Sequence, residues 1–261
     1  MPPSERTLTL LQLSDPHLLA DARGRCRGRD ALLQLHHGLA AALRQCGSRP
    51  DLLLISGDLC QDESWGGYVH LRALLAELPF PVAVTPGNHE QSSLLRAVLG
   101  RRALVAPSWC RLGSWTLVLL NSHQPGCAGG RLGDRQIRWL THNLTNSEGP
   151  VLLALHHPPV PIGDPGFDAM GLADGDRLMD VVRAEPRIRV VVFGHIHQHW
   201  RGADRHGLSS ALLGCPSTLV QAPPVQPCPL GRPEWPGGRL LQLWPDGGWR
   251  DTLLRWPDPS Q

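Results

Sequence analysis

Short apolar runs alternate with amphipathic stretches along the chain, a pattern that predicts strands and helices taking turns. Leu8 to Leu13 reads as a first strand and runs straight into Ser14-Asp15-Pro16-His17. Leucines at 32, 35, 39 and 43 recur at helical spacing, so a helix is predicted over Ala31 to Cys46, capped by Asp30 and stopped by Gly47. Asp51 to Ser56 is almost continuously apolar, which fits a parallel strand covered on both faces. A helix over about Ser64 to Leu78, weakened by Gly66-Gly67 and halted by Pro79, leads to a strand over Pro81 to Thr85 and a helix near Gln91 to Leu99.

In the second half, Leu104 to Leu112 and Ser114 to Asn121 read as an antiparallel pair turning at Gly113, the start of a second sheet. A helix over Gly133 to Asn146, a strand over Val151 to Leu155, a Pro- and Gly-rich loop to Gly175, a helix to Ala184 and a strand over Ile188 to Phe193 follow. Strands over Leu208 to Leu213, near Arg239 to Leu243 and over Trp249 to Trp256 are expected to complete the second sheet. The Pro-rich segment Cys215 to Gly238 is expected to be a long surface loop. Alternating elements without an interdomain linker predict an α/β protein with one domain over residues 1–261.

Composition narrows the class. A chain of 261 residues with 41% hydrophobic and 18% charged side chains is long and apolar enough to fold around a substantial core. Its net charge of +2 carries no strong footprint for nucleic acid or an anionic membrane. The basic residues are all Arg and are scattered, which marks compositional bias rather than a binding patch. Seven cysteines, an odd number without a C-x-x-C pair, argue against a disulfide framework or zinc ribbon and for a reducing cytoplasm. Met1 to Leu13 is too short and too broken for a signal peptide, and no apolar run approaches the roughly 18 residues of a membrane span.

Candidate chemistry gathers at the strand ends. Five strands deliver Asp15 with His17, Asp58, Asn88 with His89, His156, and His195 with His197. Ligands of open α/β sheets bind outside the carboxyl ends of the strands, so these motifs should converge on one crevice. Gly57, Gly87 and Gly194 are expected to let the backbone turn sharply beside them. Two carboxylates, one amide oxygen and four imidazoles make seven donors; with one carboxylate shared, each of two divalent cations receives four. Such a set leaves positions open for water and substrate, as a catalytic site requires. Nitrogen and oxygen donors without thiolate suit Fe, Mn, Zn or Co.

The ordered series D-x-H, G-D, G-N-H-[DE], H-x-P and G-H-x-H, spanning Asp15 to His197, resembles the calcineurin-like metallophosphoesterases. Within that family, Gly57 to Ser64, Gly194 to Gln198 and Cys215 to Gln221 look like the bacterial class III 3′,5′-cyclic AMP phosphodiesterases. The resemblance implies a four-layer α/β/β/α sandwich, here with a C-terminal Pro-rich loop, and hydrolysis of cyclic AMP to 5′-AMP by a metal-bridged hydroxide. Other phosphodiesters, such as 2′,3′-cyclic nucleotides or glycerophosphodiesters, are the alternative substrates. It further implies one metal held by Asp15, His17, Asp58 and His197, and another by Asp58, Asn88, His156 and His195, with Asp58 bridging. His156 is the ligand rather than His157 because it precedes x-Pro.

By the same resemblance His89 is free of metal and, as imidazolium, protonates the leaving 3′ oxygen, with Asp58 and Asn88 also catalytic. His17, Asp58, Asn88, His89 and His197 then face the substrate, a small nucleotide. Two divalent ions are implied, Fe or Mn first and Zn or Co as alternatives; no nucleic acid or membrane partner is expected, and monomer and homodimer both stay open. A non-catalytic scaffold of this fold would lose a ligand or the free His, whereas Asn88 and His89 are both present. Many relatives place an acid three residues after the bridging Asp to orient that His. Here Gln61 stands there, and Asp62 is the nearest acid for the task. Cys60 is expected to be a buried, inert thiol, and His36, His37 and His123 to have structural or solvated roles.

Overall fold

A computed structural model describes residues 6–202 and 210–259. β1 (Leu8–Leu13) is followed by a small hairpin, β2 (Arg25–Cys26) and β3 (Arg29–Asp30). α1 (Ala31–Cys46) starts where the Asp30 carboxylate accepts the Leu33 amide at 2.9 Å and stops at Gly47, whose φ is 70°. Next come β4 (Leu52–Ile55), α2 (Trp65–Ala76), β5 (Val82–Val84), α3 (Ser92–Leu99) and β6 (Leu104–Val105). The middle of the chain forms β7 (Ser108–Leu112), β8 (Trp115–Leu119), α4 (Gly133–Thr145), β9 (Val151–Ala154), the short α5 (Pro165–Ala169), α6 (Gly175–Ala184) and β10 (Ile188–Phe193). β11 (Trp200–Gly202), β12 (Ala211–Gly214), β13 (Gly237–Leu243) and β14 (Trp249–Arg255) close the order.

Two six-stranded sheets result, β14-β13-β1-β4-β5-β6 and β11-β12-β10-β9-β8-β7. Side-chain alternation explains the layers. Leu8 and Leu10 of β1 point toward the other sheet and pack with Trp115, Leu117, Val190 and Val192, whereas Leu11 and Leu13 point outward to α1, α2 and α3. On the far side, Val118, Leu153 and Val191 pack under α4 and α6. The architecture is therefore the four-layer α/β/β/α sandwich.

The parallel strands β1, β4 and β5 of one sheet and β9 and β10 of the other end at one shared edge. Gln12 at the end of β1 donates to the Ser56 hydroxyl at 2.9 Å and to the Phe193 carbonyl of the facing sheet at 3.3 Å. The strand ends of both sheets are thus pinned together.

The strand topology departs from expectation in two places. Leu104 to Leu112 is two strands in different sheets, because the chain crosses between them at Ala106-Pro107, where Pro107 has no N–H for a ladder. β13 and β14 join the first sheet, not the second, since β13 pairs antiparallel with β1 from Leu8↔Leu243 to Gln12↔Arg239 and buries Leu241 and Leu243 between the sheets. Of the strand expected over Leu208 to Leu213, Leu208 and Ser209 lie outside the described residues, and β12 covers Ala211 to Leu213 in the second sheet, as expected.

Residues 215–236 contain neither helix nor strand, yet Cys215 to Leu219 are buried rather than exposed as expected of a surface loop. Ser217 Oγ donates to the Asp15 carbonyl at 2.8 Å and the Thr218 amide to the Ser14 carbonyl at 2.9 Å. The segment is a strut beneath the β1 turn.

Arg239 joins the sheets through a buried charge. It lies on β13, fully buried, donates to the Gly214 carbonyl of β12 at 2.7 Å and pairs with Asp251 of β14. Removing one partner of such a group leaves the others unmet in a low-dielectric interior. Arg239→Ala should therefore lower stability by about 3 kcal/mol, read as a lower urea midpoint at unchanged m-value; a shift below about 0.5 kcal/mol would deny it this role.

Candidate metal centre

The site is built on strained backbone. Among the described residues seven non-glycine positions have positive φ, and five of them are predicted donors: Asp15 (53°), His17 (48°), Asp58 (49°), His195 (68°) and His197 (50°). The left-handed conformation costs an L-residue about 1–2 kcal/mol and persists where surroundings over-determine it. Those surroundings are hydrogen bonds between neighbouring turns. The Asp15 amide donates to the Gly57 carbonyl at 3.1 Å and the His17 amide to the Asp58 carbonyl at 2.9 Å.

Of the three glycines expected to turn the chain, Gly57 does so with a φ of 97°. Gly87 and Gly194 serve instead by close approach; a Cβ on Gly87 would stand 2.1 Å from Asp58 Oδ1.

Asp58 lies at the centre. Its Oδ2 faces His17 Nε2 at 3.7 Å, and its Oδ1 faces His156 Nε2 at 3.4 Å. On the first side His17 Nε2 and His197 Nε2 stand 3.0 Å apart, with Asp15 Oδ1 at 3.5 Å from the latter. On the second side His156 Nε2 lies 3.3 Å from Asn88 Oδ1 and 3.2 Å from His195 Nδ1. The seven predicted donors thus lie together on the two sides of Asp58.

The outer ring nitrogens show which atoms are free to coordinate. His197 Nδ1 donates to the Val220 carbonyl and His156 Nδ1 to the Ser56 carbonyl, each at 2.8 Å, so both Nε2 atoms face inward. Imidazole nitrogens and carboxylate oxygens converging in a buried space fit divalent cations, and the residues present suit two of them. His157 lies beside His156 and His195, with its ring nitrogens against Ser122 Oγ at 2.8 Å and the Ala128 carbonyl at 3.1 Å.

Burial and charge set the protonation states of the cluster. Burial drives the His17 imidazole down to about 4, and burial with the His156 charge drives His195 down to about 3, so both are neutral at pH 7. Burial also opposes charge on His156, yet the carboxylates of Asp58 and Asp15 outweigh it and hold that ring up to about 9. Asp58 lies well below the ordinary carboxylate range because His156 and His17 overcome its own burial. Glu90 is pushed up to about 8 by burial and then by Asp58.

His89 stands outside both donor groups. Its ring is 5.2 Å from that of His17, and its amide donates to Asp58 Oδ1 at 3.1 Å. Gln61 Nε2 lies 3.2 Å from His89 Nδ1, while Asp62 accepts from the Ala20 amide at 2.9 Å and caps the following turn. The residue beside His89 is therefore the amide at the third place, not the acid at the fourth, because the turn after Asp58 points Asp62 back toward Ala20.

Sequence reasoning also missed Glu90 as a brace. Its carboxyl takes the amides of Leu59 and Cys60 at 2.8 and 3.0 Å and that of Gly87 as well, joining the Asp58 and Asn88 turns. Its place in G-N-H-E was the available signal. Cys60 is fully buried with its thiol pushed up to about 11 by burial, matching the inert role. His123, half-buried, donates from Nδ1 to the Gly87 carbonyl at 2.9 Å and so touches the backbone of the Asn88 turn.

Comparison with known proteins agrees with this geometry. The family model for calcineurin-like phosphoesterases matches residues 8–199. A probable cyclic nucleotide phosphodiesterase of Synechococcus sp. (strain WH7803) is 50% identical, covering 95% of this chain and 96% of its own. The 3′,5′-cyclic adenosine monophosphate phosphodiesterase CpdA of Pseudomonas aeruginosa is 36% identical, covering 98% of this chain and 93% of its own. In fold, the chain is similar to a dimetal phosphatase from Danio rerio, with a TM-score of 0.66 at 15% identity over 96% of this chain and 99% of that one. Among the described residues no helix is long and apolar enough to cross a membrane. The chain belongs to the calcineurin-like phosphoesterase family and is a hydrolase.

Proposed function

We propose that this chain hydrolyses 3′,5′-cyclic AMP to 5′-AMP at a dinuclear centre. The observation that carries the reading is Asp58, which offers one carboxylate oxygen to the His17 side and the other to the His156 side. Relatives named as cyclic nucleotide phosphodiesterases, matched over nearly the whole chain, supply the substrate class. In this reading Asp15, His17, Asp58 and His197 hold one cation, and Asp58, Asn88, His156 and His195 the other. Fe or Mn suits the mixed nitrogen and oxygen donors, with Zn or Co as alternatives. Seven cysteines, all free of disulfides, suit a reducing cytoplasm.

When bound, the cations polarise the phosphoryl oxygens and furnish a nucleophile at neutral pH. The chain's own residues do the rest. The oxygen nucleophile adds to phosphorus, the bond from phosphorus to the 3′ oxygen breaks, and the 5′ ester remains. His89 gives a proton to the departing 3′ oxygen through Nε2, because Nδ1 is turned toward Gln61. Its backbone amide on Asp58 Oδ1 ties the position of the acid to the bridging ligand. Asn88, on the same turn, and the rings of His17 and His197 form the wall that the phosphate meets.

Three measurements test this. Protein reconstituted with Mn or Fe should convert cyclic AMP to 5′-AMP; cleavage of bis(p-nitrophenyl) phosphate without cyclic AMP turnover would sink the substrate and retain the chemistry. His89→Ala should lower kcat by about 10²–10⁴-fold with metal content unchanged by elemental analysis, and loss of metal would make His89 a ligand instead.

The third measurement uses His156. Below pH 9 the metal-free ring holds a proton that a cation must displace. Metal affinity should therefore climb from pH 7 toward pH 9, by up to about tenfold per unit, and level off above. Calorimetry in buffers of different ionisation enthalpy should register the released proton; a flat affinity without proton release would contradict the assignment.

A further inference from the structure

Two non-glycine residues besides the donors adopt positive φ among the described residues, Glu63 and Arg27. Glu63 makes no recorded contact with the centre. Arg27 does: its Nη1 lies 3.4 Å from His197 Nδ1. It sits at the tip of the β2–β3 hairpin, where Cys26 pairs with Arg29 and leaves Arg27-Gly28 as a two-residue turn with φ of 51° and 81°. Positive φ at both positions defines the type I′ turn, which favours Asn, Asp or Gly. An exposed Arg in the first position is strained, and nothing in hairpin formation asks for it.

The hairpin is tied to the site on both flanks. Cys26, buried, reaches Gln61 Oε1 at 3.5 Å, the same side chain that holds His89. Arg29 donates to the Leu219 carbonyl at 2.9 Å and pairs with Asp258, and the next carbonyl, Val220, takes the His197 proton. The tip is held in place beside His197 rather than free in solvent.

Arg27 itself is unanswered. His197 Nδ1 already spends its hydrogen on Val220 and has no lone pair to offer, so the guanidinium faces another donor. Among the described residues no ion pair includes Arg27, whereas the neighbouring Arg29 has a carboxylate. A guanidinium without an acceptor, placed by strained backbone at the rim of a phosphoester site, matches one ligand chemistry. Its parallel N–H groups take two oxygens of a phosphoryl group.

We infer that Arg27 binds the phosphoryl group of the substrate, entering from outside His197 and acting as a substrate-binding residue that the metal motifs do not contain. The inference rests on the phosphodiesterase reading above. Strain at a functional position predicts opposite effects on stability and binding when it is relieved.

Arg27→Ala, Arg27→Lys and Arg27→Gly, each metal-loaded, test it with orthophosphate as the probe in titration calorimetry. Orthophosphate should bind about tenfold or more weakly to the Ala and Gly variants, with partial recovery in Arg27→Lys. KM for cyclic AMP should rise by a similar factor, with a smaller change in kcat. The melting temperature of Arg27→Gly should equal or exceed that of the wild type, because Gly adopts positive φ without strain.

Orthophosphate affinity within about twofold of wild type in the Ala and Gly variants overturns the inference. A lower melting temperature for Arg27→Gly also overturns it, assigning Arg27 to the fold. If the wild type cleaves bis(p-nitrophenyl) phosphate but not cyclic AMP, the nucleotide reading fails. Arg27 is then judged on KM for that ester and on orthophosphate binding alone.

Discussion

The site depends on one buried carboxylate with a different imidazole group at each of its oxygens. Asp58 is 2% exposed, and an ionised carboxylate removed from water is tolerable only when opposite charge or hydrogen-bond donors surround it. His156 supplies the opposite charge, and the His89 amide supplies a donor. Each partner comes from a different strand end, so the carboxylate can be buried only if the β1, β4, β5 and β9 turns all arrive together. That mutual requirement makes the cluster a property of the two-sheet edge rather than of any one loop.

Backbone geometry is the second constraint. Five donors hold left-handed conformations that an isolated turn would abandon, and bonds between the β1 and β4 turns help to keep them. Ser217 and Thr218 add support from a segment far along the chain, gripping the carbonyls of Ser14 and Asp15. Glu90 does the same for the Asp58 and Asn88 turns. The side chains thus inherit their positions from a backbone lattice, and steric room for that lattice comes from glycine at 87, where no Cβ fits against Asp58.

Around the cluster, tautomers are set by carbonyls. Val220 and Ser56 each take the outer hydrogen of an imidazole, which turns the inner nitrogen toward the cluster. His157 lies 4.9 Å from His156 ring to ring, and both of its nitrogens are engaged by hydrogen-bond partners of their own.

Much of this was legible in the chain itself. The ends of α1, the apolar cores of β1, β4, β9 and β10, and the donors that follow them are local facts, written in periodicity, capping residues and spacing. The family resemblance carried by the motif order implied both the four layers and the division of the donors into two groups.

Pairing was not legible, because a strand's partner is chosen by the whole core. β13 therefore went to the first sheet against β1, and Leu104 to Leu112 split across two sheets at Pro107. Nor could spacing decide that Gln61 rather than Asp62 meets His89, that Cys215 to Leu219 is a buried strut, or that Arg27 stands beside His197. Those contacts join residues up to about two hundred positions apart and depend on the angle at which a strained turn leaves its strand. Residue types and their order determined which chemistry is present; only the packing of two sheets face to face decided which atoms face one another.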